Sequence, residues 1–141
     1  MKRAILLMTL LAAAGCGGSD STAPTLPPTS VGVFTVTDLV IGTGATAVTG
    51  SNATVNYTGW LYDTGKPNGK GTQFDSGVFP LVVGGTGAIP GFSQAVLGMK
   101  VGGQRRAIIP PALAYGSSTP DPSRIPANAT LVFELALTAV Q

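Results

Sequence analysis

The chain has 141 residues, a formal net charge of +2 at pH 7, no histidine and one cysteine. That composition excludes zinc sites of the usual histidine or multi-cysteine kind, Ser-His and Cys-His nucleophilic pairs, imidazole acid–base chemistry and an internal disulfide. No metal and no cofactor is expected. Removing Lys2 and Arg3 leaves basic and acidic residues in balance, and only Arg105 and Arg106 adjoin, so nothing resembles a phosphate-neutralising stripe and nucleic acid is not an expected partner.

Met1-Lys2-Arg3 is a cationic start, and Ala4 to Ala14 is an apolar run broken only by Thr9. The run has the length of a signal-peptide apolar region and is too short to span a bilayer. With Gly15-Cys16 after it, the segment resembles a bacterial lipoprotein signal, in which residues 1–15 are removed and Cys16 carries lipid. An ordinary cleaved signal with Cys16 as a bystander is the competing reading. From residue 16 to 30 the chain is small, polar and Pro-rich, a composition that cannot bury enough apolar surface to fold and reads as a tether. A domain over 31–141 would then sit beside a membrane in the bacterial cell envelope, in the periplasm or outside the cell.

From Val31 short runs rich in β-branched residues alternate with glycine-containing turns, the pattern of strands. Phe34 to Ile41 and Ala53 to Tyr62 are the first two. In the second, Val55, Tyr57, Gly59 and Leu61 share a face by the period of two. A turn-rich loop over 63–71 precedes strand segments at Gln73 to Ser76 and Phe79 to Val83. Gly91 to Leu97 is the one helical segment, with Phe92, Ala95, Val96 and Met99 at helical offsets and Gly98 ending it. Gln104 to Ile109 is a strand, Ala112 to Tyr115 a single turn, and Thr130 to Val140 the closing strand, with Leu131, Phe133, Leu135 and Leu137 on one face. The sum is an α+β domain, an antiparallel sheet with one helix across it.

Within Thr72 to Phe92 one carboxylate, Asp75, lies among Phe74, Phe79, Leu81, Val83, Ile89 and Phe92. Read locally, Asp75-Ser76-Gly77 is a turn and the phenylalanines are core. Gly84-Gly85-Thr86-Gly87 suggests a phosphate loop but lacks the Lys-Ser/Thr that would complete one.

Seven tags change the local reading: Val55-Asn56-Tyr57-Thr58-Gly59, Phe74-Asp75-Ser76, Ile89-Pro90-Gly91-Phe92, Gly102-Gly103-Gln104, Ile109 to Gly116, Ile125-Pro126 and Ala129 to Glu134. In this order and spacing they resemble the FKBP-type peptidyl-prolyl isomerases, over nearly all of residues 31 to 141. The resemblance implies a twisted antiparallel β-sheet half-wrapped around one short α-helix, with an apolar pocket for a proline ring between them. It assigns catalytic roles to Tyr57, Asp75 and Tyr115, and substrate contact to Phe74, Phe79, Ile89, Phe92, Ile125 and Phe133. Phe92 stands where the family often has Trp, and Ala88 is smaller than the usual wall residue.

The implied activity is rotation about X-Pro bonds in proline-containing polypeptide clients outside the cytoplasm. Macrolide ligands, a membrane reached through the N-terminal lipid and a monomeric state complete the expectations. Such a reaction makes and breaks no covalent bond, so it suits a chain without nucleophile or metal. The alternative, from another class, is a tethered module that holds proline segments without turning them.

Overall fold

The computed structural model describes residues 33–141. The signal peptide, Cys16 and the tether expected over 16–30 lie outside the described residues. Five strands form one antiparallel sheet: β1 (Thr35–Val40), β2 (Asn52–Tyr62), β3 (Lys70–Val82), β4 (Gln104–Ile109) and β5 (Leu131–Val140). Their spatial order is β1-β4-β5-β2-β3, so β1 and β3 are the two outer strands. The helix α1 (Pro90–Val96) packs against β4 and β5. Two short 3-10 turns, Pro67–Gly69 and Pro111–Leu113, complete the regular structure of the described residues. The α+β class and the sheet wrapped on a short helix are as the sequence indicates.

The alternation along β2 and β5 decides which face closes. Val55, Gly59, Leu131, Phe133, Leu135 and Leu137 are buried on the inner face, where Phe92, Ala95, Val96 and Met99 of the α1 region meet them. These four positions recur at helical spacing, so one stripe of a very short helix is buried. A helix of seven residues has little stability of its own and depends on this burial. Pro90 sits in its first turn, where a missing N–H costs nothing. At its other end the Arg105 guanidinium donates to Ala95 O at 2.9 Å and Leu97 O at 3.0 Å, carbonyls that the helix leaves without partners. The same guanidinium donates through Nε to Asp38 of β1 at 2.6 Å.

The outer face of the sheet carries a different arrangement. Val132 is fully buried there, opposite Trp60 on one side and Ile108 on the other. Lys70 Nζ lies 4.4 Å from the centre of the Trp60 ring and 2.5 Å from Glu134 Oε1, which Arg106 Nη2 approaches to 3.1 Å. Long charged side chains thus cover a small apolar patch with their stems while their heads stay wet.

One expectation needs correction in detail. Gln73 to Ser76 and Phe79 to Val83 are not separate segments: β3 runs unbroken from Lys70 to Val82. Gly77 is no turn, because it pairs directly with Tyr57 in the ladder to β2.

Candidate functional site

A cavity of about 380 Å³ opens between the inner face of the sheet and the helix. Its wall contains Tyr57, Phe74, Asp75, Phe79, Ile89, Phe92, Tyr115 and Phe133, eight of the nine contact positions indicated by the sequence. The ninth, Ile125, is not in the wall; it is 6% exposed and packs in the core. Ala88 does line the cavity, together with Thr86 and Gly87.

Register explains how residues far apart in sequence converge. Gly59 of β2 faces Asp75 of β3 on one side and Phe133 of β5 on the other. The β2–β3 ladder then slips, with Gly59 opposite Asp75 but Trp60 opposite Gln73, which leaves Phe74 as the extra residue of a bulge. In a regular strand, adjacent residues point to opposite faces; the bulge lets Phe74 and Asp75 line the same cavity. Past it the period of two resumes, and Asp75, Gly77 and Phe79 follow one face. Gly59 has a second duty. A Cβ there would lie 2.6 Å from Phe74 Cζ and 2.8 Å from Phe133 Cε1, so only glycine lets those two rings meet.

The rings form a continuous edge-to-face cluster. Phe92 is its hub, with ring centres 5.8 Å from Tyr57, 5.8 Å from Phe79 and 5.4 Å from Phe133, at angles of 85°, 78° and 86°. Phe74 meets Phe133 at 5.6 Å and 89°. Such perpendicular contacts place a positive ring edge on a negative ring face and hold each ring in one orientation. The cavity is therefore an apolar cup whose rings brace one another.

Its polar groups gather at one side. The Tyr57 hydroxyl donates to Asp75 Oδ2 at 2.7 Å, and the backbone N–H of Ser76 donates to Asp75 Oδ1 at 2.9 Å. Burial, the hydrogen bond to Asp75 and its negative charge together push the Tyr57 hydroxyl up to about 12. Burial, then the charge of Asp75, also raises Tyr115 above the ordinary tyrosine value. Both hydroxyls stay protonated at neutral pH and are available as donors. Asp75 is fixed by two donors, which suits an orienting group better than a proton carrier.

The segment over Gly84 to Ala88 forms the rim next to the helix. It is fastened by the backbone N–H of Gly84, which donates to the buried Ser93 hydroxyl at 2.6 Å. The sequence gives little sign of this. Ser93 looks like an ordinary small residue in a short helix, and the Gly-rich run carries no chemistry of its own. The helix itself can approach β4 closely because Gly91 has no side chain; a Cβ there would overlap the Ile109 side chain. Among the described residues no group of three or more His, Cys, Asp or Glu side chains gathers as a metal site.

Comparison with known proteins places the geometry in context. Residues 44–138 match the family of FKBP-type peptidyl-prolyl cis-trans isomerases. The chain is 40% identical over 114 residues to the 46 kDa FK506-binding nuclear protein of Spodoptera frugiperda, which covers 78% of this chain and 26% of that protein. An FK506-binding protein of Neisseria meningitidis serogroup A is 36% identical over 115 residues, 78% of this chain and 98% of that one. The chain spans only about a quarter of the length of the first curated relatives it matches. Among solved structures, a peptidyl-prolyl cis-trans isomerase from Pseudomonas syringae pv. tomato superposes with a TM-score of 0.61 at 31% identity, over 77% of this chain and 75% of that one.

Proposed function

The chain belongs to the FKBP-type peptidyl-prolyl cis-trans isomerase family, and from that premise we propose that the aromatic cup binds a proline ring and accelerates rotation of the preceding peptide bond. The observation that carries the proposal is the cup itself: six aromatic side chains and Ile89 around a cavity of about 380 Å³, with two tyrosine hydroxyls and one carboxylate at the edge.

Amide resonance gives the X-Pro bond partial double character and a barrier of about 18–20 kcal/mol. Unaided rotation takes on the order of 10–100 s at 25 °C. The planar amide carries more charge separation than the twisted one, so an apolar site disfavours the ground state relative to the transition state. Each ~1.4 kcal/mol of that difference is worth tenfold in rate. The residues lining the cup, Tyr57, Phe74, Phe79, Phe92 and Phe133, supply that environment. Asp75 holds the Tyr57 hydroxyl and presents its charge at the rim, where it acts as an orienting group and neither gives nor takes a proton. The Tyr115 hydroxyl and the Ile89 backbone N–H are the donors proposed for the rotated carbonyl, which preorganised dipoles favour over the planar one.

The same reading extends to clients and address. The clients are polypeptides with exposed X-Pro segments in the bacterial cell envelope, reached by a domain that a lipid on Cys16 and the tether over 16–30 hold beside a membrane. The domain acts as a monomer, and the cup is also the seat for FK506-type macrolides. The support for the address is the sequence pattern of the first sixteen residues and the bacterial relative; Cys16→Ser is expected to move the protein from the membrane fraction to the soluble one.

The activity is tested by exchange rates of an X-Pro peptide, measured by NMR or a protease-coupled assay, for wild type, Asp75→Ala and Tyr115→Phe. Wild type accelerates exchange and both variants lose much of that acceleration while keeping the fold. Peptide binding with no acceleration in wild type would leave a holding module in place of an isomerase.

A further inference from the structure

Beyond the cup, a second depression of about 590 Å³ runs between the β3 segment Thr72 to Ser76 and the loop ending at Pro126. It shares Phe74 and Asp75 with the cup, so the two adjoin along those side chains. Its lining is different in kind. Thr72, Gln73, Ser76, Ser123 and Arg124 put hydrogen-bonding groups along it, where the cup is mostly aromatic.

Three observations bear on what it holds. First, β3 is an outer strand, and among the described residues no further strand pairs with its free side. Second, the opposite wall is a built turn. Asp121 accepts from the backbone N–H of Arg124 and Ile125 through its carbonyl, at 3.1 and 2.9 Å, and its carboxylate accepts from the Ser123 N–H at 3.1 Å and the Ser123 hydroxyl at 2.5 Å. Third, the ionic groups are of both signs. Arg124 is exposed and pairs with Asp121 at 3.6 Å, while Asp75 at the junction is already held by Tyr57 and Ser76. No one sign of charge prevails, so the groove selects neither acidic nor basic side chains.

We propose that this groove seats the stretch of client chain flanking the proline, in extended form, through its main-chain amides and small polar side chains. Thr72, Gln73, Ser123 and Arg124 are then affinity-determining residues for long clients and are dispensable for a bare X-Pro unit. An extended chain exposes a donor and an acceptor at every residue, which a groove of hydroxyl, amide and guanidinium groups can satisfy and an aromatic wall cannot. The proposal rests on the isomerase reading for its proline anchor.

The test uses the full chain and three peptides: a capped unit with one residue on each side of proline, and the same unit lengthened by four residues toward the N-terminus or toward the C-terminus. Affinity and kcat/KM are measured for wild type, for Gln73→Trp, which fills the groove, and for Arg124→Ala, which only trims it. With wild type, one of the two extensions tightens binding about tenfold, the worth of one or two net hydrogen bonds. Gln73→Trp abolishes that gain and Arg124→Ala reduces it, while the short peptide turns over at the wild-type rate with both. A gain that survives Gln73→Trp, or no gain from either extension, overturns the groove proposal. Failure of wild type to accelerate the short peptide overturns the isomerase reading instead, and the affinities of the long peptides still decide the groove.

Discussion

The two faces of the same sheet are built from alternate residues of the same strands, yet they solve opposite problems. On the inner face Tyr57, Gly59 and Phe133 help to make a cup whose shape depends on ring-to-ring contact and on the absence of one side chain. On the outer face Trp60 and Glu134, next door to Gly59 and Phe133, join Lys70 and Arg106, the latter paired with Glu134 across the β4–β5 ladder, in a wet network of charges over Val132. The difference shows where precision is needed. Apolar contacts in a closed space respond to every atom removed, whereas exposed ion pairs contribute little and tolerate exchange.

Removing the hub of the cup breaks the comparison most sharply. Phe92→Ala takes away a ring touching three others and is expected to cost about 3–5 kcal/mol of stability, read by denaturant unfolding, with peptide turnover lost along with it. Tyr57→Phe keeps the ring and removes only the hydroxyl that meets Asp75. Stability should fall by no more than about 1–1.5 kcal/mol, while kcat/KM on an X-Pro peptide drops about tenfold. A loss of turnover no larger than the loss of folded protein would show that the hydroxyl has only a packing role.

On the outer face Glu134→Gln removes the shared partner of Lys70 and Arg106. Burial works against the Glu134 charge, but the two cations outweigh it and hold its carboxyl below the ordinary value. The expected cost at neutral pH is about 0.5–1 kcal/mol, with turnover unchanged. A larger effect on turnover would mean that the two faces are coupled. The smallest effect at neutral pH belongs to the titration of Tyr57. Its folded value, about 12, stands above the unfolded value of 10, so its contribution is complete below pH 10 and fades as pH rises toward 12. An alkaline step in turnover that is present in wild type and absent in Tyr57→Phe is the signature.

Much of this was legible in the sequence, and what escaped it did so for definite reasons. Alternation along β2 and β5 placed Tyr57, Phe133 and their neighbours on one face, because a strand's period is local. The continuity of β3 was not legible: glycine after Asp-Ser signals a turn locally, and only the pairing of Gly77 with Tyr57 twenty residues upstream overrides it. The bulge at Phe74 is likewise a property of two strands together. Ile125, assigned to the wall by resemblance, packs in the same core cluster as Phe92 and Phe133, at the end of a loop whose path no local pattern sets. The rim formed by Thr86 and Gly87 escaped because small residues shape a site by backbone position and leave no chemical mark.

Arg105 has a mechanical consequence. One guanidinium joins Asp38 on the outermost strand β1 to the last carbonyls of the helix whose Phe92 forms the cup floor. Among the described residues β1 pairs on one side only, with β4, and it is the first of the five strands. Tension applied to β1 is therefore shared between the β1–β4 ladder and this one guanidinium, and the guanidinium is the branch that leads straight to the helix carrying the floor of the cup.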